Sequence, residues 1–188
     1  MQMIMREELI CDILNELKNK KMIYLEAPCG WGKTVLLHQL EEKLGREICT
    51  FIHSSEITRM NFMMDMNKEQ KKGSHSEIFL VDNLGEWVIS GNIELLMDYI
   101  QKQRPESKVI LAGRVPLPSQ LLPYKLTSQI SIYGKNKLRY TGKEINEMCS
   151  HNYKGHGEQI RSLYEICQGM PLFLAVAVGY LEGAVTND

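Results

Sequence analysis

One eight-residue segment, placed between a short apolar run and an amphipathic stretch, constrains the fold of this chain more than any other part of its sequence. The segment reads Ala27-Pro28-Cys29-Gly30-Trp31-Gly32-Lys33-Thr34. It matches a phosphate-binding loop with alanine in place of the first glycine, and such a loop needs a strand before it and a helix after it. Residues 22–25 have a strand pattern and residues 34–44 a helix pattern. We therefore predict a strand, loop and helix unit that surrounds a phosphate group.

Short apolar runs rich in isoleucine and valine recur along the chain. They occupy residues 22–25, 48–52, 78–81, 109–112 and 130–133. Helical patterns lie between them at residues 34–44, 60–70, 93–103 and, more weakly, 119–122. Strands that alternate with helices favour right-handed crossovers and a parallel sheet. We predict an α/β fold with a five-stranded, mostly parallel P-loop NTPase sheet in the strand order 5-1-4-3-2, preceded by an amphipathic helix over residues 4–17.

The character of the sequence changes after Tyr140, where no further strand-like run follows. Thr141 and Glu144 form the Thr-x-x-Glu pattern of a capping box, which predicts a helix to about Ser150. A second helix is predicted over residues 158–167, and Pro171 introduces a third. We expect residues 1–140 to form the nucleotide-binding core with its N-terminal helix. Residues 141–188 would form a small helical subdomain, truncated at its end.

Composition excludes several classes of function. The 188 residues carry 22 Lys and Arg against 23 Asp and Glu, so no broad positive field is present to hold a nucleic acid directly. The apolar stretch 171–178 is far shorter than the roughly 20 residues that cross a bilayer. The five cysteines are odd in number and lack a Cys-x-x-Cys pair, which favours reduced thiols. We expect a cytoplasmic protein that contacts neither nucleic acid nor membrane.

The phosphate-binding segment defines the first set of candidate site residues. Pro28, Cys29, Gly30, Trp31 and Gly32 would form the loop around the phosphates, with successive backbone N–H groups of the glycine-rich turn facing them. Lys33 would lie beside the β- and γ-phosphates of ATP or ADP, and the Thr34 hydroxyl would hold Mg²⁺.

A second strand supplies a carboxylate to the same site. Asp82 ends the apolar run 78–81, as a Walker B aspartate does when it faces Mg²⁺ from the edge of the sheet. We predict that Asp82 binds Mg²⁺ together with Thr34, and that Asp82 and Lys33 are catalytic.

Asn83 stands where many such ATPases carry a second carboxylate that activates the attacking water. An amide cannot accept that proton. Glu86 can take over this role, but it can equally be a solvated loop residue. We therefore expect ATP hydrolysis to be slow or absent.

Several motifs resemble those of the STAND ATPases related to the maltose-regulon activator and the large LuxR-type transcriptional regulators. The phosphate loop resembles their Ala-Pro-x-Gly-aromatic-Gly-Lys-Thr sequence. Ile110-Leu-Ala-Gly-Arg114 resembles their fourth strand with its sensor arginine. Leu138-Arg-Tyr-Thr-Gly-Lys-Glu144 resembles the Leu-x-Phe/Tyr-x-x-x-Glu start of their helical subdomain, and Gly169-Met170-Pro171 resembles their Gly-x-Pro signature.

The resemblance implies further site residues. Arg114 would be a third catalytic residue and would contact the γ-phosphate, because a guanidinium senses the charge of the terminal phosphate. Pro171 would pack on the adenine and couple the helical subdomain to the nucleotide. The segment before the first strand would approach the base, with Arg6 and Glu7 at its rim.

The function that the resemblance implies is a regulatory switch driven by ATP or ADP. The sensor and DNA-binding modules would lie C-terminal to this chain in a longer parent, and we also expect nucleotide-dependent self-association. Two alternatives stay open: a stand-alone P-loop kinase or other ATPase, and a nucleotide-binding protein-interaction module. A kinase normally needs a lid with several arginines near the phosphates, and no such segment follows Arg114.

Overall fold

The computed structural model describes residues 4–53, 77–103, 105–152 and 157–185, so the helix predicted at residues 60–70 lies outside the described residues. In chain order the elements are α1 Glu7–Asn19, β1 Met22–Glu26, α2 Lys33–Leu44, β2 Cys49–His53, β3 Ile78–Asp82, α3 Leu84–Ile89, α4 Ile93–Gln103, β4 Lys108–Gly113, a 3₁₀ turn Ser119–Leu121 with α5 Leu122–Leu126, β5 Ile130–Tyr133, α6 Lys135–Leu138, α7 Gly142–Asn152, α8 Gly157–Cys167 and α9 Pro171–Val185.

The five strands form one parallel sheet in the order β2-β3-β4-β1-β5. This is the predicted order, given from the opposite edge of the sheet, and it confirms the α/β class. Since all strands run the same way, the carboxyl ends of β1, β3 and β4 lie at one edge. That edge brings together the glycine-rich loop after β1, Asp82 at the end of β3 and Arg114 directly after β4.

Alternating residues of the strands fill a core on each face of the sheet. Met22 and Tyr24 of β1 belong to the core on the face that includes residues of α3 and α4. Ile23 and Leu25 belong to the opposite core, with residues of α1 and α2. Both faces of the interior strand β1 are therefore buried, which explains why its sequence is a continuous apolar run.

The structure differs from the predicted elements mainly at short helices. Helix α1 begins at Glu7 rather than at residue 4, and α3 and α6 were not predicted at all. Helix α3 has six residues and α6 has four, which is too few for a helical periodicity to become visible.

A third hydrophobic cluster lies among α7, α8 and α9. Ile145, Ile160 and Leu174 form its buried centre, and Ile4 and Tyr140 pack against it from outside these helices. The predicted capping box is present, because the Glu144 carboxylate accepts from the Thr141 backbone N–H at 2.6 Å and the Thr141 hydroxyl accepts from the Glu144 N–H at 3.2 Å. Within the described ranges no helix is long and apolar enough to cross a membrane.

Candidate functional site

The glycine-rich loop turns sharply between β1 and α2. Gly30 has φ of +85° and Gly32 has φ of +72°, both in the left-handed region that side-chain-bearing residues rarely adopt. The Leu36 N–H bonds to the Gly32 carbonyl at 2.9 Å, so α2 begins directly at the loop. The loop therefore sits at the positive end of α2, where an anion is favoured.

Lys33 folds back over the loop and is only 8% exposed. Its ammonium donates to the carbonyl of Ala27 at 2.5 Å and to the carbonyl of Pro28 at 2.8 Å. Burial lowers the pKa of Lys33 most, and the positive charge of Arg114 lowers it further, while the negative charge of Asp82 acts in the opposite direction. A polyanion placed beside both cations would relieve their mutual repulsion.

Thr34 and Asp82 meet across the site. The Thr34 hydroxyl donates to the Asp82 Oδ2 at 2.8 Å, although the two residues are 48 positions apart in the sequence. A hydroxyl and a carboxylate are the hard oxygen ligands that Mg²⁺ prefers. The residues present therefore fit the predicted ion, which the phosphates and water would coordinate on its remaining sides.

Asn83 has a left-handed backbone with φ of +53°, a conformation that asparagine tolerates better than most residues. Its N–H donates to Asp82 Oδ1 at 2.8 Å, and its side-chain amide donates to Glu86 Oε1 at 2.5 Å. Glu86 is an exposed residue whose carboxylate is held by the amide of Asn83.

The first turn of α9 lies directly on the glycine-rich loop. The Leu172 N–H donates to the Gly30 carbonyl at 3.0 Å. A Cβ added at Gly30 would lie 2.5 Å from Met170 Cε and 3.0 Å from Leu172 Cβ, and one added at Gly32 would lie 3.5 Å from Pro171 Cγ. The loop can approach the helical subdomain this closely only because Gly30 has no side chain.

Arg6 connects the N-terminal segment to the end of α6 and to α7. Its guanidinium donates at 2.7 Å to the carbonyls of Leu138 and Arg139 and at 2.8 Å to Glu144, and it lies 5.0 Å from the ring centroid of Tyr140. The side chains of Arg6 and Glu144 are 6% and 14% exposed. We name these contacts of the Arg6 guanidinium the Arg6 clasp. The predicted rim residue Glu7 instead pairs with Lys43 at 3.0 Å on the surface.

A cavity of about 510 Å³ lies between the loop, the ends of β3 and β4, and α9. Most of the predicted site residues line it: Arg6, Cys29, Gly30, Gly32, Lys33, Thr34, Asp82, Arg114 and Pro171. Pro28 and Trp31 do not; the Pro28 carbonyl holds Lys33, and Trp31 packs against the core beside α1 and α2. Asn83, which the sequence analysis placed beside the attacking water, lines the cavity as well. The sequence analysis missed other lining residues, namely Ile4, Val35, Gln39, Ala112, Gly113, Tyr140, Leu172 and Ala175.

Gln39 and Ile4 illustrate why those residues were missed. The Gln39 side chain donates to the Ile4 carbonyl at 2.7 Å and accepts from the Arg6 N–H at 3.3 Å. These residues are 33 to 35 positions apart in the sequence. A polar residue within an amphipathic helix carries no signal of its own that it faces a cavity. The glycine-rich loop next to the same helix gives only a weak indication.

The fold of this chain recurs in solved structures. AMPPCP-bound DnaA from Aquifex aeolicus has a TM-score of 0.58 and 17% identity, over 93% of this chain and 59% of that chain. A Walker-type ATPase of Pyrococcus abyssi has a TM-score of 0.59 and 15% identity, over 96% of this chain and 69% of that chain. The fold is that of a P-loop NTPase.

Sequence comparison adds no closer assignment to this P-loop NTPase fold. No protein-family model matches the chain, and no curated protein sequence matches it.

A second DnaA structure, bound to AMPPCP and single-stranded DNA, has a TM-score of 0.52 and 19% identity, over 84% of this chain and 54% of that chain. This chain spans less than two thirds of the length of either DnaA chain.

Proposed function

We propose that this chain is an ATP- or ADP-binding regulatory switch domain of a LuxR-type STAND transcriptional regulator, with slow or no ATP hydrolysis. The observation that carries the proposal is the hydrogen bond from the Leu172 N–H to the Gly30 carbonyl. It joins the helical subdomain to the loop that would hold the phosphates. Any change in that loop would thereby reach α9 without an intermediate element.

The chemistry of the cavity supports the nucleotide. Lys33 and Arg114 would neutralise phosphate charge, and the loop backbone at the start of α2 would bind phosphate oxygens. Pro171 would cover the base. Thr34 and Asp82 would hold Mg²⁺, which would supply positive charge to the phosphate oxygens.

Asn83 supports a switch rather than a fast enzyme. The attacking water needs a proton acceptor, and the amide of Asn83 is none. Glu86 is the nearest carboxylate in the sequence after Asp82, but it accepts a hydrogen bond from Asn83. Nucleotide state would therefore persist long enough to be sensed by attached modules.

The proposal divides the chain into a nucleotide-binding core at residues 1–140 and a helical subdomain at residues 141–188. The sensor and DNA-binding modules would belong to a longer parent chain in the cytoplasm, and nucleotide binding would promote self-association. A nucleotide-binding protein-interaction module is the second candidate, because Asn83 favours binding without turnover as well.

Calorimetry with Mg-ATP and Mg-ADP tests the nucleotide site. Lys33→Ala is expected to weaken binding of both nucleotides at least about tenfold, because it removes a charge-assisted contact to phosphate. Lys43→Ala is the matched control, since Lys43 lies in the last turn of the same helix and pairs with Glu7 on the surface. Unchanged affinity in Lys33→Ala refutes the site. In parallel, a phosphate-release assay that shows turnover of several per second refutes slow hydrolysis.

Hydrogen exchange at the Leu172 amide tests the switch itself. The exchange rate is expected to differ between the ATP and ADP complexes, because the bond to Gly30 reports the position of α9 on the loop. The amide of Leu111, in the central strand β4, is the internal control. Equal protection at Leu172 in the two complexes contradicts the switch and leaves the binding-module candidate.

A further inference from the structure

Tyr24 is a buried polar side chain that the proposed site does not use. It lies on β1, is completely buried, and its hydroxyl donates to the Val115 carbonyl at 2.6 Å. Burial raises the pKa of Tyr24 most, and the charge of Glu26 raises it further, so the hydroxyl stays a protonated donor. Val115 immediately follows Arg114, which links this bond to the cavity.

The backbone on both sides of Arg114 is held by residues of β1 and the adjoining loop. Before Arg114, the Gly113 carbonyl accepts from the Ala27 N–H at 3.3 Å. After Arg114, the Val115 carbonyl accepts from Tyr24. The path of the chain through Arg114 is therefore fixed by a hydrogen bond to the carbonyl of each of its two neighbours.

The close packing of Tyr24 beneath this turn also depends on Gly113. A Cβ added at Gly113 would lie 2.9 Å from Tyr24 Cζ and nearer still to the Tyr24 hydroxyl oxygen. In the pairing of β1 with β4, Tyr24 lies opposite Leu111 and Glu26 lies opposite Gly113. The Tyr24 ring therefore extends along β4 by two residues to reach the turn. A side chain at Gly113 would displace either the ring or the turn.

The direction of the Arg114 side chain depends on that backbone. Arg114 is an exposed residue, and a long flexible side chain loses binding energy when its base is loose. We infer that Tyr24 is a positioning residue, which aims Arg114 at the terminal phosphate and thereby sets the preference for ATP over ADP. This inference rests on the proposed nucleotide site.

The test is the ratio of the ADP and ATP dissociation constants, measured by calorimetry with Mg²⁺. Arg114→Ala is expected to lower the preference for ATP about tenfold or more, because it removes a charge-assisted contact to the γ-phosphate. Tyr24→Phe is expected to lower it about three- to tenfold, as for the loss of one buried hydrogen bond. The double variant should match Arg114→Ala, since Tyr24 acts through Arg114.

Tyr133→Phe is the matched control. Tyr133 is also completely buried, its hydroxyl donates to Asp12 at 2.7 Å, and it does not line the cavity. Tyr133→Phe, like Tyr24→Phe, removes one buried hydroxyl oxygen from the sheet. An effect on stability alone would therefore appear in both variants, whereas only Tyr24→Phe should change the nucleotide preference.

The outcomes distinguish a failure of the proposed nucleotide site from a failure of the role of Tyr24. If the wild-type chain binds neither nucleotide, the proposed function fails and the inference fails with it. If both nucleotides bind, the inference alone is overturned by any of three results: Arg114→Ala keeps the ATP preference, Tyr24→Phe keeps it, or the effects of the two substitutions add.

Discussion

Replacing Arg6 by alanine is the sharpest test of how α6 and α7 are held to the N-terminal segment. The Arg6 clasp joins the N-terminal segment to the Leu138 and Arg139 carbonyls and to Glu144, with three donor-acceptor distances between 2.7 and 2.8 Å. Arg6→Ala would remove all of these contacts together. It would also leave the Glu144 carboxylate without its charge partner, at a position where its side chain is 14% exposed.

The expected loss follows from the burial of this pair. Removing one partner of a buried ion pair costs about 3–5 kcal/mol, mostly because the remaining charge is uncompensated. The Thr141 N–H still donates to Glu144 at 2.6 Å and limits the loss. We therefore expect Arg6→Ala to lower the free energy of unfolding by about 3 kcal/mol, the lower end of that range.

Urea denaturation followed by tryptophan fluorescence measures this loss, because the chain has two tryptophans. Lys43→Ala is the matched control: it removes a cation from an ion pair with Glu7, the residue next to Arg6, but that pair is exposed and should hardly change the midpoint. A change below about 1 kcal/mol in Arg6→Ala would mean that the clasp is replaced by water at no cost, and it would refute the reasoning.

Three further predictions concern single residues. Burial alone would raise the pKa of Glu144, but hydrogen bonds from Arg6 and Thr141 outweigh it and hold that pKa below 4.5, so the stability that the pair contributes above about pH 4.5 should be lost as the pH falls through the lower folded-state pKa. In Glu144→Gln, an acid titration of the unfolding midpoint should lack this component, and an unchanged titration contradicts the prediction. Asn83→Asp keeps a side chain that tolerates the left-handed backbone and adds a proton acceptor, so phosphate release should accelerate about 100-fold or more, and an unchanged rate shows that Asn83 does not limit hydrolysis. Gly30→Ala should destabilise the fold by about 1–2 kcal/mol from its φ of +85° alone, and it should weaken ATP binding. Gly85→Ala in α3, where an added Cβ meets nothing within 4 Å, should leave thermal stability unchanged or raise it. Equal effects of the two substitutions contradict the close approach of α9 to the loop.

The local patterns that the sequence carries were sufficient for the sheet and for the phosphate loop. A buried parallel strand needs residues that are apolar on both faces, and five such runs appear as apolar segments in the sequence. The loop between β1 and α2 is equally local, because Gly30 and Gly32 act through their own backbone angles. Short helices such as α3 were missed because six residues are too few to show a period.

Contacts between distant residues were decided only by the tertiary structure. Gln39 and Ile4 line the cavity because the segment before α1 meets α2 and α9 there, and no local pattern distinguishes a polar residue that faces a cavity from one that faces water. The resemblance placed Arg6 at the rim of the site, and Arg6 does line the cavity, but only the structure shows its guanidinium bound to two carbonyls and to Glu144 more than 130 positions away. Such contacts depend on how the elements pack, whereas glycine conformation and strand burial depend on residues that are adjacent in the chain.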